Sequence, residues 1–311
     1  MTDVDDLLQK TSRTFAVTIP MLPSPTRQQV GLAYLLFRII DTFEDATHWP
    51  PAQRSEMIEA FTRLLDARDP EAVRLFSERC LIDPPVQHAG YLDLLRETPF
   101  VVRKLEELPP DAREILCHHV KRSGTGMAQI VSRCDDGGRL SLSTLQDLRD
   151  YCYIVAGIVG EMLTELFLLG RPQLSGVSEH LRQRAHLFGE GLQLVNILKD
   201  RDADAREGRI YLPSDTERAQ VMALARADLR SASDYTLALQ EQGAERGIVI
   251  FNALLVRLAL GTLAALRDQR PSGKLSRVEV YSIVSAVLRD VDNGQPVFPI
   301  AGSGADLPAT A

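Results

Sequence analysis

Gly31-Leu-Ala-Tyr-Leu-Leu-Phe-Arg-Ile-Ile-Asp-Thr-Phe-Glu-Asp45 is the stretch on which the fold turns. At about 100° per residue, Tyr34, Arg38, Asp41 and Asp45 fall within roughly 60° of one another on a helix, with Glu44 beside them. Leu35, Leu36, Phe37, Ile39 and Ile40 surround this polar stripe. A helix apolar on most of its sides belongs in a core, and a carboxylate in a core needs a cation or a partner. Asp41 and Asp45 can therefore aim at one point. The alternative on spacing alone is a solvated acidic helix end on which Arg38 pairs Asp41 or Asp45.

A second stretch repeats the pattern. In Gln193-Leu-Val-Asn-Ile-Leu-Lys-Asp-Arg-Asp-Ala-Asp204, the residues Gln193, Asn196, Asp200 and Asp204 lie within about 80° on one helical face, with Leu194, Val195 and Leu198 opposite. Two such carboxylate pairs facing each other across a helical bundle would hold hard divalent cations. Mg²⁺ suits them because it takes one or two carboxylates, keeps several waters and leaves positions for substrate phosphates. The pairs are Asp41 with Asp45 and Asp200 with Asp204. Without a cation these carboxylates repel each other; with one, an acidic protein gains an anion site. Arg13, Lys199, Arg201, Arg206 and Arg209 flank the stripes, and guanidinium groups bind diphosphate oxygens in bidentate fashion. Taken singly, each reads as a surface charge.

The rest of the chain reads as helix. Breakers such as Pro50-Pro51, Pro84-Pro85, Pro109-Pro110, Gly170 to Pro172 and Gly208 to Pro213 separate segments of helical periodicity. Segment 143–169 pairs Ser143 with Gln146 in capping-box spacing and has Gly170 just past its end. With no hairpin signal and no repeat, about eight to ten helices are expected. They are expected to form one all-α domain over 1–298, with 299–311 as a disordered tail.

Composition narrows the function. The 311 residues, 45% apolar and 25% charged, exclude disordered, collagen-like and multi-span membrane chains. Lys and Arg number 35 against 42 Asp and Glu, a net charge of −7 that argues against nucleic acid as a partner. Cys80, Cys117, Cys134 and Cys152 form no CxxC pair, which predicts a reduced cytoplasmic setting without structural zinc. Met1 to Lys10 lacks the basic-then-apolar pattern of a secretory signal. Ile248 to Leu266 is apolar but contains Asn252 and Arg257, so it is expected to be a core helix rather than a membrane span. Peripheral contact with a membrane is compatible with this, and no obligate protein partner is inferred.

Together these motifs resemble the squalene/phytoene synthases, which join two isoprenoid diphosphates head to head. The resemblance runs from Ser12-Arg-Thr-Phe15 through Asp41-Thr-Phe-Glu-Asp45 and Tyr151-Cys-Tyr-Ile-Val-Ala-Gly157 to Asn196-Ile-Leu-Lys-Asp200 and Gly208-Arg-Ile-Tyr-Leu-Pro213. One DxxxD is weak evidence, whereas two in order, each with its flanking motif, are specific. The first motif and Gly126-Met-Ala128 look more like the squalene branch than the phytoene branch. Gly273-Lys-Leu-Ser-Arg277 resembles a shortened form of the basic stretch associated there with the nicotinamide cofactor. No GxGxxG accompanies it.

The resemblance implies an isoprenoid-synthase-type helical bundle around a central cavity that condenses two farnesyl diphosphates, through presqualene diphosphate, to squalene or a related C30 product, with Mg²⁺ and NADPH as cofactors. The metal ligands it implies are Asp41, Asp45, Asp200 and Asp204, with Glu44 and Asn196 beside them, and Mg²⁺ held there would activate the leaving diphosphate. Tyr151 and Tyr34 would assist proton removal or cation stabilisation. Ser12, Arg13, Phe15, Arg38, Gln193, Asn196 and Arg209 would line the substrate, and Lys274 and Arg277 would meet NADPH. Water quenches carbocations, so the apolar segments 153–169 and 248–266 are candidates for a dry sleeve. A phytoene synthase joining two geranylgeranyl diphosphates is the alternative within the family, because pocket depth sets chain length and has no motif. A class I terpene cyclase does not fit, since its second metal motif has wider spacing. Non-catalytic assembly proteins related to the family are expected to lose carboxylates from a stripe, and all four aspartates are kept here.

Overall fold

The computed structural model describes residues 3–299 apart from Arg13, Arg68, Asp136, Gly137, Pro213, Ser214, Pro271 and Ser272; the side chains of 215–217 are also left undescribed. The expected tail, beyond Pro299, lies outside the described residues. The chain gathers into two compact units. The first holds α1 (Val4–Thr11), α2 (Phe15–Thr18), α3 (Thr26–Glu44), α4 (Pro51–Ala67), α5 (Pro70–Ile82), α6 (Ala89–Arg96), α7 (Thr98–Glu106) and α8 (Pro110–Val131). The second holds α9 (Leu145–Cys152), α10 (Ile158–Leu168), α11 (Ser178–Arg206), α12 (Asp215–Glu241), α13 (Arg246–Arg267) and α14 (Arg277–Asp292), with Arg206 itself counted in the first unit. All-α is therefore right, with more and shorter helices than expected. One unforeseen joint is Glu97, which ends α6 and precedes α7, where Pro99 sits in the first turn.

Strand structure among the described residues is one parallel bridge in the first unit, β1 (Leu140–Ser141) against β2 (Arg209–Ile210). Two residues a side are too few to show an alternating pattern, so sequence gave no warning of it. The cores match the periodicity. In the first unit Leu35, Leu36, Ile39, Ile40 and Phe43 of α3 have no exposed surface, packed against α1, α4 and α8.

In the second unit α13 runs between α12 and α14. Its polar interruptions are satisfied internally: the Asn252 amide donates to the Ile248 carbonyl at 2.8 Å, and Arg257 donates to the Val297 carbonyl and to Asp290 at 2.6 Å. Leu145–Leu168 and Arg246–Arg267 are long and apolar enough to cross a membrane by length and composition, and most of the latter is buried.

The capping box of α9 falls one residue later than the spacing suggested, on Thr144 and Asp147, because the Asp147 carboxylate accepts from the Thr144 N–H at 3.0 Å while the Thr144 hydroxyl accepts from the Asp147 N–H at 3.0 Å. Gly170 ends α10 at φ +70°, as expected. Between α9 and α10 lies one π-helical turn, Tyr153–Gly157, in which the Ile158 N–H reaches back five residues to the Tyr153 carbonyl. Glycine makes the next contact possible. A Cβ on Gly160 would stand 2.0 Å from the Ala185 carbonyl oxygen, and one on Gly189 1.9 Å from that of Ala156. Main chain cannot swing aside as a side chain would, so Gly189→Ala is expected to lose about 1–3 kcal/mol or more, read as a lower thermal midpoint.

Candidate active site

The first stripe sits at the end of α3. Asp45 leaves the helix with its N–H still bonded to the Asp41 carbonyl at 2.8 Å. Tyr34 donates its hydroxyl to the Thr11 carbonyl at 2.7 Å, and its ring lies 5.4 Å from that of Phe15. The Arg38 guanidinium stacks on Tyr34 and Tyr91, 5.6 and 5.3 Å from the ring centres, and reaches Asp41 at 3.6 Å. Ser12 is used locally, its hydroxyl oxygen accepting from the Phe15 N–H at 3.0 Å. Arg13 lies outside the described residues. From β2, Arg209 reaches Asp45 at 3.2 Å and Glu207 at 2.6 Å. The first unit thus gathers Ser12, Phe15, Tyr34, Arg38, Asp41, Glu44, Asp45 and Arg209 through α1–α3 and the strand bridge.

Burial decides the electrostatics. Glu44 is 7% exposed, while the side chains of Asp41 and Asp45 keep 29% and 42% of their surface. Desolvation, with repulsion from Asp45 and Asp41, pushes Glu44 up to about 8 against the pull of Arg209 and Arg54. Desolvation also lifts Asp41 to about 6, opposed by Arg38 and aided by Asp45. Asp45 is raised by the same cause, against Arg209 and Arg38, and its greater exposure softens the effect. The Arg38–Asp41 pair foreseen for a solvated helix end exists, yet this end is graded, with Glu44 buried, Asp41 partly covered and Asp45 open to solvent. Asp41, Glu44 and Asp45 stand within one turn and oppose one another's ionisation even with Arg38, Arg209 and Arg54 beside them, and such a set of carboxylate oxygens is one that a hard divalent cation fits.

The second stripe lies on α11 in the second unit. Leu194, Val195 and Leu198 are buried on its far side, as the periodicity required. Gln193 is half-buried and Asn196 exposed; the Asn196 side-chain Oδ1 accepts from Lys199 at 3.3 Å, and Lys199 pairs with Asp200 at 3.2 Å. Asp204 is half-buried on the same face. Among the described residues, no cluster of three or more His, Cys, Asp or Glu side chains is already arranged around one point as a metal site.

Tyr151, in the last turn of α9, is 5% exposed, and its hydroxyl meets that of Tyr211 at 3.0 Å. Tyr211 was passed over in the sequence, although it lies within Gly208-Arg-Ile-Tyr-Leu-Pro213. Lys274 and Arg277 are exposed beside the start of α14, and among the described residues no hydrogen bond or ion pair joins them to another candidate residue. Sequence reading also missed two buried polar groups. One is Arg54 on α4. The other joins Arg149, Glu190 and Asp228 in the second unit, with Arg149 2.9 Å from Glu190. Neither carries a motif, since their partners are distant in sequence.

The squalene/phytoene synthase family model matches residues 8–221. The chain belongs to the squalene/phytoene synthase family. Both acidic stripes, Tyr151, Tyr211 and Arg209 lie within the matched stretch of this synthase-family chain, whereas Lys274 and Arg277 lie beyond it. The squalene synthase of Eremothecium gossypii is 30% identical over 292 residues, covering 91% of this chain and 60% of that protein. That of Schizosaccharomyces pombe is 29% identical over 209 residues, 67% of this chain and 43% of that protein. The chain thus spans about half the length of these curated relatives. Among solved structures, a complex of TcSQS with the ligand E5700 superposes with a TM-score of 0.70 at 22% identity, covering 94% of this chain and 88% of the other. A dehydrosqualene synthase bound to a ligand gives 0.54 at 20% identity, covering 93% and 95%. These likenesses establish the shared all-α fold.

Proposed function

We propose that the protein is a Mg²⁺-dependent prenyltransferase that joins two farnesyl diphosphates head to head, through presqualene diphosphate, to squalene or a related C30 product. The observation that carries this is the desolvated carboxylate cluster at the end of α3, ringed by Arg38 and Arg209. Asp41, Glu44 and Asp45 of α3 and Asn196, Asp200 and Asp204 of α11 would hold the metal. When bound, Mg²⁺ supplies the Lewis acidity that makes a diphosphate a competent leaving group. Arg38 and Arg209 would orient diphosphate oxygens through their planar forks. The Tyr34 hydroxyl, committed to the Thr11 carbonyl, fixes an aromatic face next to Arg38. The buried Tyr151–Tyr211 pair would guide the proton lost when the cyclopropane forms and steady the cation before it. Gln193 would line the substrate, Lys274 and Arg277 would meet NADPH, and the enzyme would work in the cytoplasm in peripheral contact with a membrane.

Product analysis with C15 and C20 diphosphates, each with and without NADPH, tests this reading. The expected result is a C30 product from C15 alone, moving to squalene when NADPH is added. A C40 product would make the protein a phytoene-type synthase, and no product from either would sink the enzymatic reading. A second expectation concerns the metal. Asp41 and Glu44 hold protons up to about 6 and about 8, and a cation must displace them. The rise in thermal midpoint on adding Mg²⁺ should therefore be larger at about pH 8 than at about pH 6. A shift that shrinks as pH rises would remove these carboxylates from the metal site.

A further inference from the structure

Arg54 is 3% exposed, and an arginine is almost never so deeply buried unless its guanidinium finds partners. Its guanidinium donates to the Glu44 carbonyl at the end of α3, to the Gly138 carbonyl at 3.4 Å and to the Cys134 sulfur at 3.9 Å. These acceptors belong to two segments about ninety residues apart, the last turn of α3 and the link from α8 to β1. Gly138 turns there with φ +74°, and β1 begins two residues later. β1 then pairs Leu140 with Arg209, the residue that reaches Asp45. We propose that Arg54 is a positioning residue for the acidic end of α3, tying the Glu44 carbonyl to the Gly138 turn and so setting the register in which Arg209 meets Asp45.

Two features support this. A cation at the carboxyl end of a helix complements its dipole, and a forked guanidinium can span separate acceptors that an ammonium cannot. Arg54 also acts electrostatically on Glu44 and Asp45, opposing their desolvation. It thereby adds fixed positive charge behind the carboxylates while spending its hydrogen bonds on main chain and sulfur rather than on the carboxylates themselves.

The test is a double-mutant cycle of Arg54→Lys with Arg209→Gln, read by chemical denaturation without metal. Arg209→Gln should lower the folding equilibrium constant about fivefold in the wild type and less than about twofold in the Arg54→Lys background. Additive effects would overturn the proposal and leave Arg54 a packing residue. Should Arg54→Lys fail to fold, Gly138→Ala disturbs the same tie from the acceptor side and should show the same loss of coupling. A parallel measurement rests on the Mg²⁺ reading above. The Mg²⁺ concentration at half-maximal thermal shift should rise about tenfold in Arg54→Lys, and an unchanged midpoint would also count against the positioning role. A wild type that does not respond to Mg²⁺ would defeat the metal reading, while the metal-free cycle would still decide on Arg54.

Discussion

Asp41→Asn is expected to reduce turnover by about a thousandfold or more while making the metal-free protein more stable above neutral pH. The two effects have one cause. The folded surroundings lift Asp41 to about 6 even though Arg38 lies 3.6 Å away, so burial and Asp45 together outweigh the arginine. A carboxyl whose folded pKa exceeds its unfolded value stabilises fully below the unfolded value, and that contribution is lost as pH climbs through about 6. An amide of the same shape removes the charge that the site disfavours. After allowing for 29% exposure, the gain should be about 1–2 kcal/mol at high pH. Steady-state rates with Mg²⁺ and farnesyl diphosphate, set beside thermal denaturation at several pH values, check both halves. Undiminished turnover would remove Asp41 from the metal-binding set, and lower stability at high pH would mean the Arg38 pair dominates.

Asp228→Asn should have the largest effect on stability away from the candidate site. Asp228 is 4% exposed and sits so close to Gly191 that a Cβ there would stand 3.0 Å from the Asp228 Cβ. Desolvation, with repulsion from Glu190, lifts its pKa to about 7 against the pull of Arg149. The folded protein therefore keeps this proton while the unfolded chain gives it up near 4. Stability from this group is complete below about 4 and drains away as pH rises to about 7, by at most about 4 kcal/mol. Asparagine carries no charge to lose. The variant should melt several degrees above the wild type at about pH 8, with a flatter pH profile, and match it near pH 4. A lower midpoint at about pH 8 would show that the folded state holds Asp228 ionised beside Arg149.

Much of this could be read before any coordinates. The apolar surround of α3 and the buried side of α11 follow from the 3.6-residue period, and the stripes from four-residue spacing. Local patterns also marked Gly170 as a helix end. What escaped reading was long-range. The Asp45–Arg209 contact joins residues 164 apart, and the hydrogen bond from Arg54 to the Gly138 carbonyl joins residues 84 apart. No periodicity connects such positions. Arg54 sits in an unremarkable stretch of α4, and Asp228 is one acid among many on α12; only tertiary packing separates them from solvated charges. The capping box of α9 slipped by a residue for a related reason, because neighbouring Ser143 and Thr144 offer the same hydroxyl chemistry and the fold chooses between them.

The π turn at Tyr153–Gly157 works as a phase shifter. Its widened turn adds about one residue to the helical count, which rotates everything after it by roughly 100° relative to an unbroken helix. Before the turn, Tyr151 faces Tyr211; after it, Thr164 meets the Tyr235 hydroxyl at 2.9 Å and Phe167 sets its edge against Phe251. Removing one residue from the turn would restore a regular helix and force a choice, since Tyr151 and the Thr164–Phe167 face could no longer both meet their partners. One helical rod therefore serves two sets of neighbours only because its thread is cut out of step at this point.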